Sequence, residues 1–390
     1  MSTDVPPSRG QTSVERYGEA APPSRGPAVA SRYGEAGAEF SRFGLAAQES
    51  PLRVEIAGEA DRQAWDAFVS SRADAFCYHE WAWREVFERT FGHEPIYLIA
   101  RAGTAIRGVL PLVFMRSRLF GRFLVSLPFV NYAGVLAEEP AVARALLDRS
   151  AELAGARACS HVELRHMRRR FDQLPVKQHK VTMWLPIGPG MWDILDRKVR
   201  NQVRKAQKSN LIAVRGGAEL VPEFYRVFTR NMRDLGTPVY SRDLFERVLA
   251  LFPGRAHIVV VRLGTRPIAA GVSLRTRTGV EVPWASSIRE FNHLCPNHLL
   301  YWTFIEAAVA EGADRFDFGR STPGEGTYKF KEQWGAEAIP LAWEYVLSEG
   351  GALPDQSPKN PKFRLAIDAW RRCPLWLANR LGPRIVRSIP

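Results

Sequence analysis

Two stretches hold most of the residues able to do chemistry. In the first, RKVRNQVRKAQKSN at 197–210, six of fourteen residues are Lys or Arg and none is acidic. Placed on a helix, Leu195, Val199, Val203 and Ala206 form one apolar stripe. Arg197, Arg200, Arg204 and Lys208 fall on another flank, with Lys198 and Lys205 nearby. With no acid to pair with, these charges repel one another. The segment is either a solvated face or a ridge for phosphates, and Arg200, Asn201, Arg204 and Lys205 are its candidate substrate-binding residues. The second stretch is DFGRSTPGEGTYKFKEQWGAE, 317–337. A strand delivers Gly319 and Arg320 at its end, and Gly324 and Gly326 permit close backbone approach to a ligand. Ser321 and Thr327 offer hydroxyls, and Tyr328, Lys329, Phe330 and Lys331 follow. Sites concentrate on such loops, although a connecting turn is the other reading.

Acid–base candidates are scattered. His79 and Glu80 sit beside Tyr78, Trp81 and Trp83, and His293 and His298 flank Asn297. Each His is either a titrating group near neutrality or a packing and capping residue. PFVNYAGV places Asn131 and Tyr132 at a strand break, as a cleft wall or a bulge. The P-loop, Rossmann, HExxH and GxSxG signatures are missing, which argues against ATPase, dehydrogenase, zinc protease and serine hydrolase activities. Four well-separated cysteines without a CxxC pair argue against a metal site or a disulfide scaffold and fit a reducing cytoplasm.

Positioning these groups takes a large α+β framework. The 390 residues suit two or three domains, and 46% hydrophobic residues supply the cores. Residues 1–50 carry degenerate repeats (PPSRG and RYGEA, each twice, then SRFG) with too few large apolar groups to offset ordering entropy, so a disordered tail is expected. From Leu52 two similar successions follow. Each has an opening helix or two, a mostly antiparallel meander, a long helix and a strand. The expected domains are 51–188 and 189–350, with residues 191–209 read as one helix. A Pro-rich linker and a basic amphipathic helix pair, broken at Pro374, occupy 351–390. No apolar leader or membrane-spanning run is present, so the expected location is cytoplasmic, with peripheral attachment to the inner membrane as an option. A net charge of +13 favours anionic partners without choosing among them.

The helix WDILDRKVRNQVRKAQKSNL together with FDFGRS…GTYKFKEQWGAE resembles the FemAB family. The likeness is nearest to its exosortase/PEP-CTERM-associated members, which serve exopolysaccharide systems and carry a BioF2-like acetyltransferase domain of the GNAT superfamily. It covers about residues 52–387. It implies two tandem GNAT-like domains with mixed, mostly antiparallel sheets and a cleft between them. It also implies acyl or aminoacyl transfer to an amine of a cell-envelope precursor. The co-substrate would be acyl-CoA or aminoacyl-tRNA, with no tightly bound cofactor and no metal. The Q/R-x-x-G-x-G/A pyrophosphate signature of GNAT enzymes is not evident.

Acyl transfer to an amine needs an oriented carbonyl and a stabilised oxyanion. No nucleophile–His pair is apparent, so direct transfer in a ternary complex is expected. Arg320, Tyr328 and Lys329 are the catalytic candidates: Arg320 for a phosphate or carboxylate, Lys329 to hold substrate or polarise the carbonyl, Tyr328 to orient the acceptor or relay a proton. Arg200, Asn201, Arg204, Lys205, Tyr132, Asn297, Ser321 and Thr327 are the substrate-binding candidates. A transferase predicts one cleft holding both Arg200 and Arg320; a nucleic-acid-binding protein, tRNA included, predicts an open basic surface. A third option is an inactive adaptor whose C-terminal tail touches anionic lipid through Trp370, Leu375, Trp376 and Leu377 and the neighbouring arginines, the alternative for that tail being packing against the second domain.

Overall fold

A computed structural model describes residues 50–118, 120–277, 279–354 and 361–389. Except for Ser50, the repeat-bearing tail expected over 1–50 lies outside the described residues, as does most of the linker expected after 350.

The first half runs β1 (Leu52–Ile56), α1 (Arg62–Ser71), α2 (Ala82–Phe91), β2 (Glu94–Ala102), β3 (Ala105–Ser117), β4 (Gly121–Val125), β5 (Leu136–Ala137), α3 (Pro140–Ala156), β6 (His161–His166) and β7 (Val176–Lys177). The second runs β8 (Val181–Pro186), α4 (Met191–Ile194), α5 (Arg197–Lys208), β9 (Leu211–Gly216), α6 (Val221–Leu235), α7 (Arg242–Leu251), β10 (Ala256–Leu263), β11 (Arg266–Arg275), β12 (Gly279–Ser287), α8 (Pro296–Ala310), β13 (Arg315–Ser321), α9 (Gly326–Glu332), β14 (Glu337–Pro340) and β15 (Ala342–Leu347). The tail adds α10 (Pro361–Arg371) and α11 (Leu375–Val386).

Among the described residues there are two mixed sheets. One has the order β1-β2-β3-β4-β6-β15-β7 with β5 beside β3; the other is β14-β8-β13-β12-β11-β10-β9. Each contains one parallel pair, β4 with β6 and β12 with β13. The halves exchange strands at their border. β8 precedes the boundary expected at 188 yet joins the second sheet, and β15 follows the second meander yet pairs with β6 in the first. Strand alternation in KVTMWLPI and IPLAWEYVL is visible in sequence, but which sheet each joins is a long-range choice.

The helix expected over 191–209 is two. Leu195 leaves helical geometry, and the Asp196 side chain caps the next helix by accepting from the Lys198 N–H at 2.6 Å. α5 then buries Val199, Val203 and Ala206, the expected stripe, in a core shared with α8. That core covers one face of the second sheet through Val259, Val261, Val280 and Val282. The opposite face carries α6 and α7 and packs against the first half through Phe224, Phe245, Phe252, Trp83 and Tyr345. Burying each such side chain contributes roughly 1.5–3 kcal/mol, so the halves share one continuous core.

One backbone approach is especially tight. A Cβ on Gly134 would stand 1.8 Å from His166 Cδ2. The ring cannot give way, because His166 Nδ1 donates to Glu344 at 2.6 Å and Nε2 accepts from the Val135 N–H at 2.9 Å. Gly134→Ala is therefore expected to cost about 1–3 kcal/mol or more by overpacking, read as a fall in Tm with unchanged secondary structure.

Candidate active site

The loop between β4 and β5 is the first component. Leu127 and Phe129 flank Pro128 with φ of 55° and 67°, a left-handed geometry costly for large side chains. β6 holds this loop in place. Ser126 Oγ accepts from the Arg165 N–H at 2.7 Å, Arg165 Nη1 donates to Val130 O at 3.0 Å, and Ala133 N–H donates to Arg165 O at 2.9 Å. Arg165 is itself fixed by Glu163, its Nε lying 2.7 Å from Oε1 with both side chains buried. Burial alone would raise the Glu163 carboxyl, but the Arg165 guanidinium and the Tyr345 hydroxyl outweigh it and hold it below its ordinary range.

So constrained, the loop reaches across to the second sheet. Asn131 Nδ2 donates to Glu281 Oε1 at 2.5 Å, and Tyr132 places its hydroxyl 2.8 Å from Asp317 Oδ2 and 3.3 Å from Glu281 Oε2. Asp317 also accepts from Thr182 Oγ1 at 2.6 Å, Trp184 Nε1 at 2.9 Å and the Gly319 N–H at 2.7 Å. The single Tyr132 proton cannot serve both carboxylates. Burial, then the neighbouring Asp317, pushes the Glu281 carboxyl well above its ordinary range. In its neutral form Glu281 can donate to the Tyr132 oxygen, which completes the network. An acid whose folded pKa stands above its unfolded value takes up a proton on folding, so this contribution to stability is lost as pH rises. Glu281→Gln is expected to flatten the decline of Tm from about pH 5 to neutrality, measured by thermal melts across that range.

The parallel ladder of β12 and β13 ends at Glu281 and Asp317. Beyond it Gly319 takes φ 74°, and its Cα lies so close to β12 that a Cβ would be 3.1 Å from Val282 O. Here Lys331 arrives from α9. It is buried, and its Nζ donates to Gly319 O at 2.9 Å and Arg320 O at 3.0 Å. Burial lowers its pKa to about 8; Asp317 and Glu281 pull it back up, and Arg320 adds to the fall. An ammonium has three N–H groups, and these two carbonyls take two of them.

Arg320 projects to the face that meets the first half, its guanidinium 5.2 Å from the Trp343 ring, which Arg165 also covers at 4.4 Å. The side chain as a whole is exposed, while its guanidinium lies among the Trp343, Arg165 and Tyr240 side chains. Burial, then Arg165, lowers its pKa to about 10, and no carboxylate pairs with it among the described residues. Tyr240 stands close by, and its hydroxyl pKa is raised by burial. Lys180 donates to Thr322 Oγ1 at 2.7 Å, and the His179 ring lies edge-on to Trp343 at 5.9 Å. The Trp343 Nε1 and Ser321 Oγ, both on buried residues, find no partner in the protein. The Arg320 guanidinium over the Trp343 ring presents a cation on an aromatic floor, which suits an anionic group, whereas Ser321 pairs with Val181 and turns to the α5–α8 face.

The remaining sequence candidates are dispersed. Lys329 and Thr327 are exposed on α9, and Tyr328 packs against the α5–α8 core. Asn297 donates to Ser287 Oγ at 3.0 Å at the start of α8. Asn201, Arg204 and Lys205 are exposed on α5, with Arg204 5.4 Å from the Trp192 ring; the half-buried Arg200 leaves its Nε unpartnered. The single cleft holding Arg200 and Arg320 is not formed. α5 covers one face of the second sheet and the Arg320 side chain stands on the other, because Arg320 pairs with Thr182, whose hydroxyl points to that other face. Gln202 of α5 contacts Cys295, so the basic helix instead flanks the β12–α8 connection.

The three histidines stand apart from this network, two of them packed and one on the surface. His79 receives the Phe76 N–H on Nδ1 at 3.1 Å and points Nε2 at Gly134 O at 3.1 Å, and burial lowers its pKa to about 4. His298 packs on Phe330 and Trp334, and burial, then Lys198, lowers it likewise to about 4. His293 lies on the surface with Nδ1 3.0 Å from Glu290 O. No group of three or more His, Cys, Asp or Glu able to hold a metal occurs among the described residues.

Sequence reasoning missed Glu281, Asp317 and the Arg165–Glu163 pair, and passed over Lys331 in favour of Lys329. A signal did exist: on a helical period Lys331 follows Tyr328 by three residues on the apolar side of α9, whereas Lys329 falls on the exposed side.

Residues 196–332 match the family described as an acetyltransferase (GNAT) domain. No curated protein matches the chain. Among solved structures, FemX aligns over 81% of this chain and 100% of its own, at 16% identity and a TM-score of 0.59. The C-terminal domain assigned to a lysylphosphatidylglycerol synthetase from Agrobacterium fabrum aligns over 75% of this chain and 93% of its own, at 10% identity and a TM-score of 0.52. A tandem GNAT protein from the clavulanic acid biosynthesis pathway aligns over 78% and 100%, at 11% identity and a TM-score of 0.50. The chain therefore has an α+β fold of the tandem GNAT-like type, with the acetyltransferase (GNAT) domain match in its second half.

Proposed function

We propose that this protein is an N-acyltransferase of FemAB type, joining an acyl or aminoacyl group to an amine in the cleft between its halves. The observation that carries the reading is Lys331: a buried, partly desolvated ammonium at the place where β12 and β13 part, with one N–H unused. A donor carbonyl placed there receives that N–H on its oxygen. The acceptor amine adds to the carbonyl carbon, the oxyanion is held by Lys331, and collapse expels the thiolate of an acyl-CoA or the ribose oxygen of an aminoacyl-tRNA. The proton lost by the amine ends on the expelled ribose oxygen as its hydroxyl, carried by water, or goes to solvent when the leaving group is the thiolate. One such donor supplies about 2.7–4 kcal/mol of transition-state stabilisation. Arg320, over Trp343, holds an anionic group of the acceptor, which suits an envelope precursor bearing phosphate or carboxylate. α5 is assigned to donor phosphates beside the β12–α8 connection.

The test supplies [14C]acetyl-CoA or a [14C]aminoacyl-tRNA with a small-molecule extract containing amine acceptors. Label is expected in an amide stable to mild base, from one donor and only in the presence of extract. Failure of both donors to label any amide would overturn the reading. A second reading, nucleic-acid binding without catalysis, draws on the unpaired charge of α5. It predicts tRNA affinity falling steeply with salt and no amide formed.

A further inference from the structure

The C-terminal helices pack on α6 with one side only. Ile367 of α10 sits against Gly236, where a Cβ would be 2.6 Å from its Cγ2, and Gly382 of α11 meets Val239 just as closely. Arg233 Nη1 donates to Cys373 O at 3.2 Å and fixes the bend between the helices. On α11 the buried residues are Ala378, Gly382 and Val386, a repeat of four. Trp376, Arg380, Arg384 and Arg387 are exposed and follow i, i+4, i+8, i+11. At about 100° per residue those four lie within one quadrant, opposite the buried stripe. Trp376 is 69% exposed, and Leu365 on α10 is 84% exposed. Among the described residues none of Arg380, Arg384 and Arg387 pairs with a carboxylate, and Asp368, the one acid of the two helices, is taken by Arg371 at 3.2 Å.

We propose that this outward face of α11, extended by Leu365, seats the protein on an anionic bilayer. A row of guanidiniums headed by an exposed indole matches the phosphate plane of a membrane, with the indole at the level of the glycerol backbone. Nucleic acid would use the same arginines, but it gives no reason for an aliphatic side chain as exposed as Leu365 on the adjoining helix α10. The face adjoins the first half near the cleft: Arg387 lies against His93, whose ring stacks with Phe129, and Phe129 contacts Tyr240 beside Arg320. The proposal stands independently of the transferase reading, since it concerns attachment alone.

The test is co-sedimentation of the full chain with phosphatidylcholine vesicles, with and without roughly one-third phosphatidylglycerol, at fixed salt. Binding is expected only with the anionic lipid. Arg380→Glu with Arg384→Glu is expected to weaken it roughly tenfold or more. Trp376→Ser is expected to weaken it severalfold at any salt, and Tm should hold in both variants because the residues point away from α6. Equal binding by wild type and both variants would overturn the proposal. So would variants that keep vesicle binding while losing affinity for tRNA, which would assign the face to nucleic acid.

Discussion

Lys331→Met is expected to reduce transfer by about 10²–10³-fold in kcat with little change in the KM of either substrate. The methionine keeps an unbranched stem of similar volume in the same channel and removes only the cationic head. The lost interaction is one made chiefly to the developing oxyanion, so ground-state binding should survive. The substitution also leaves Gly319 O and Arg320 O without their donor. That cost is offset in part because a desolvated charge is removed as well. The check is steady-state kinetics beside a thermal melt. Loss of activity with a melt within a few degrees of wild type places Lys331 in the chemistry; Lys329→Met, on the exposed side of α9, should behave as wild type.

Arg320→Ala is expected to raise the KM for an anionic acceptor by roughly 10- to 100-fold while leaving the donor's KM unchanged, consistent with about 1.5–3 kcal/mol for a charge-assisted hydrogen bond. Because Arg320 has no carboxylate partner among the described residues, its removal strands no buried anion. Only the stacking on Trp343 is lost from the folded state, so Tm should move little. Arg320→Lys tests the geometry. A lysine keeps the charge but not the planar fork, and should restore binding only in part. Acceptors lacking the anionic group should not distinguish wild type from either variant.

What could be read from the residues depended on range. The apolar periods of 82–91, 140–156 and 221–235 belong to helices that bury those same positions, because the pattern and the packing face are both local. The stripe of α5 was legible for the same reason, although the Asp196 cap that splits the helix from α4 was not singled out. The exchange of β8 and β15 was not legible, since pairing across the two halves is decided by partners more than a hundred residues apart. The same holds for the site. Asn131 and Tyr132 could be suspected from the strand break, but their partners Glu281 and Asp317 are 150 and 185 residues away. Charge was the poorest guide: the most basic helix lies on the far face of the second sheet, while the face that meets the first half receives a single arginine from the end of β13.

A buried ammonium at Lys331 that assists transfer between the two halves has a kinetic signature. Single-turnover transfer with donor prebound and acceptor saturating, followed from pH 6 to pH 10, tests it most directly. Wild type is expected to show a descending limb with an apparent pKa near 8, as the lysine loses the proton it shares with the oxyanion, and the residual rate of Lys331→Met no such limb. A wild-type rate that stays level or climbs through pH 8 to pH 10 would contradict it.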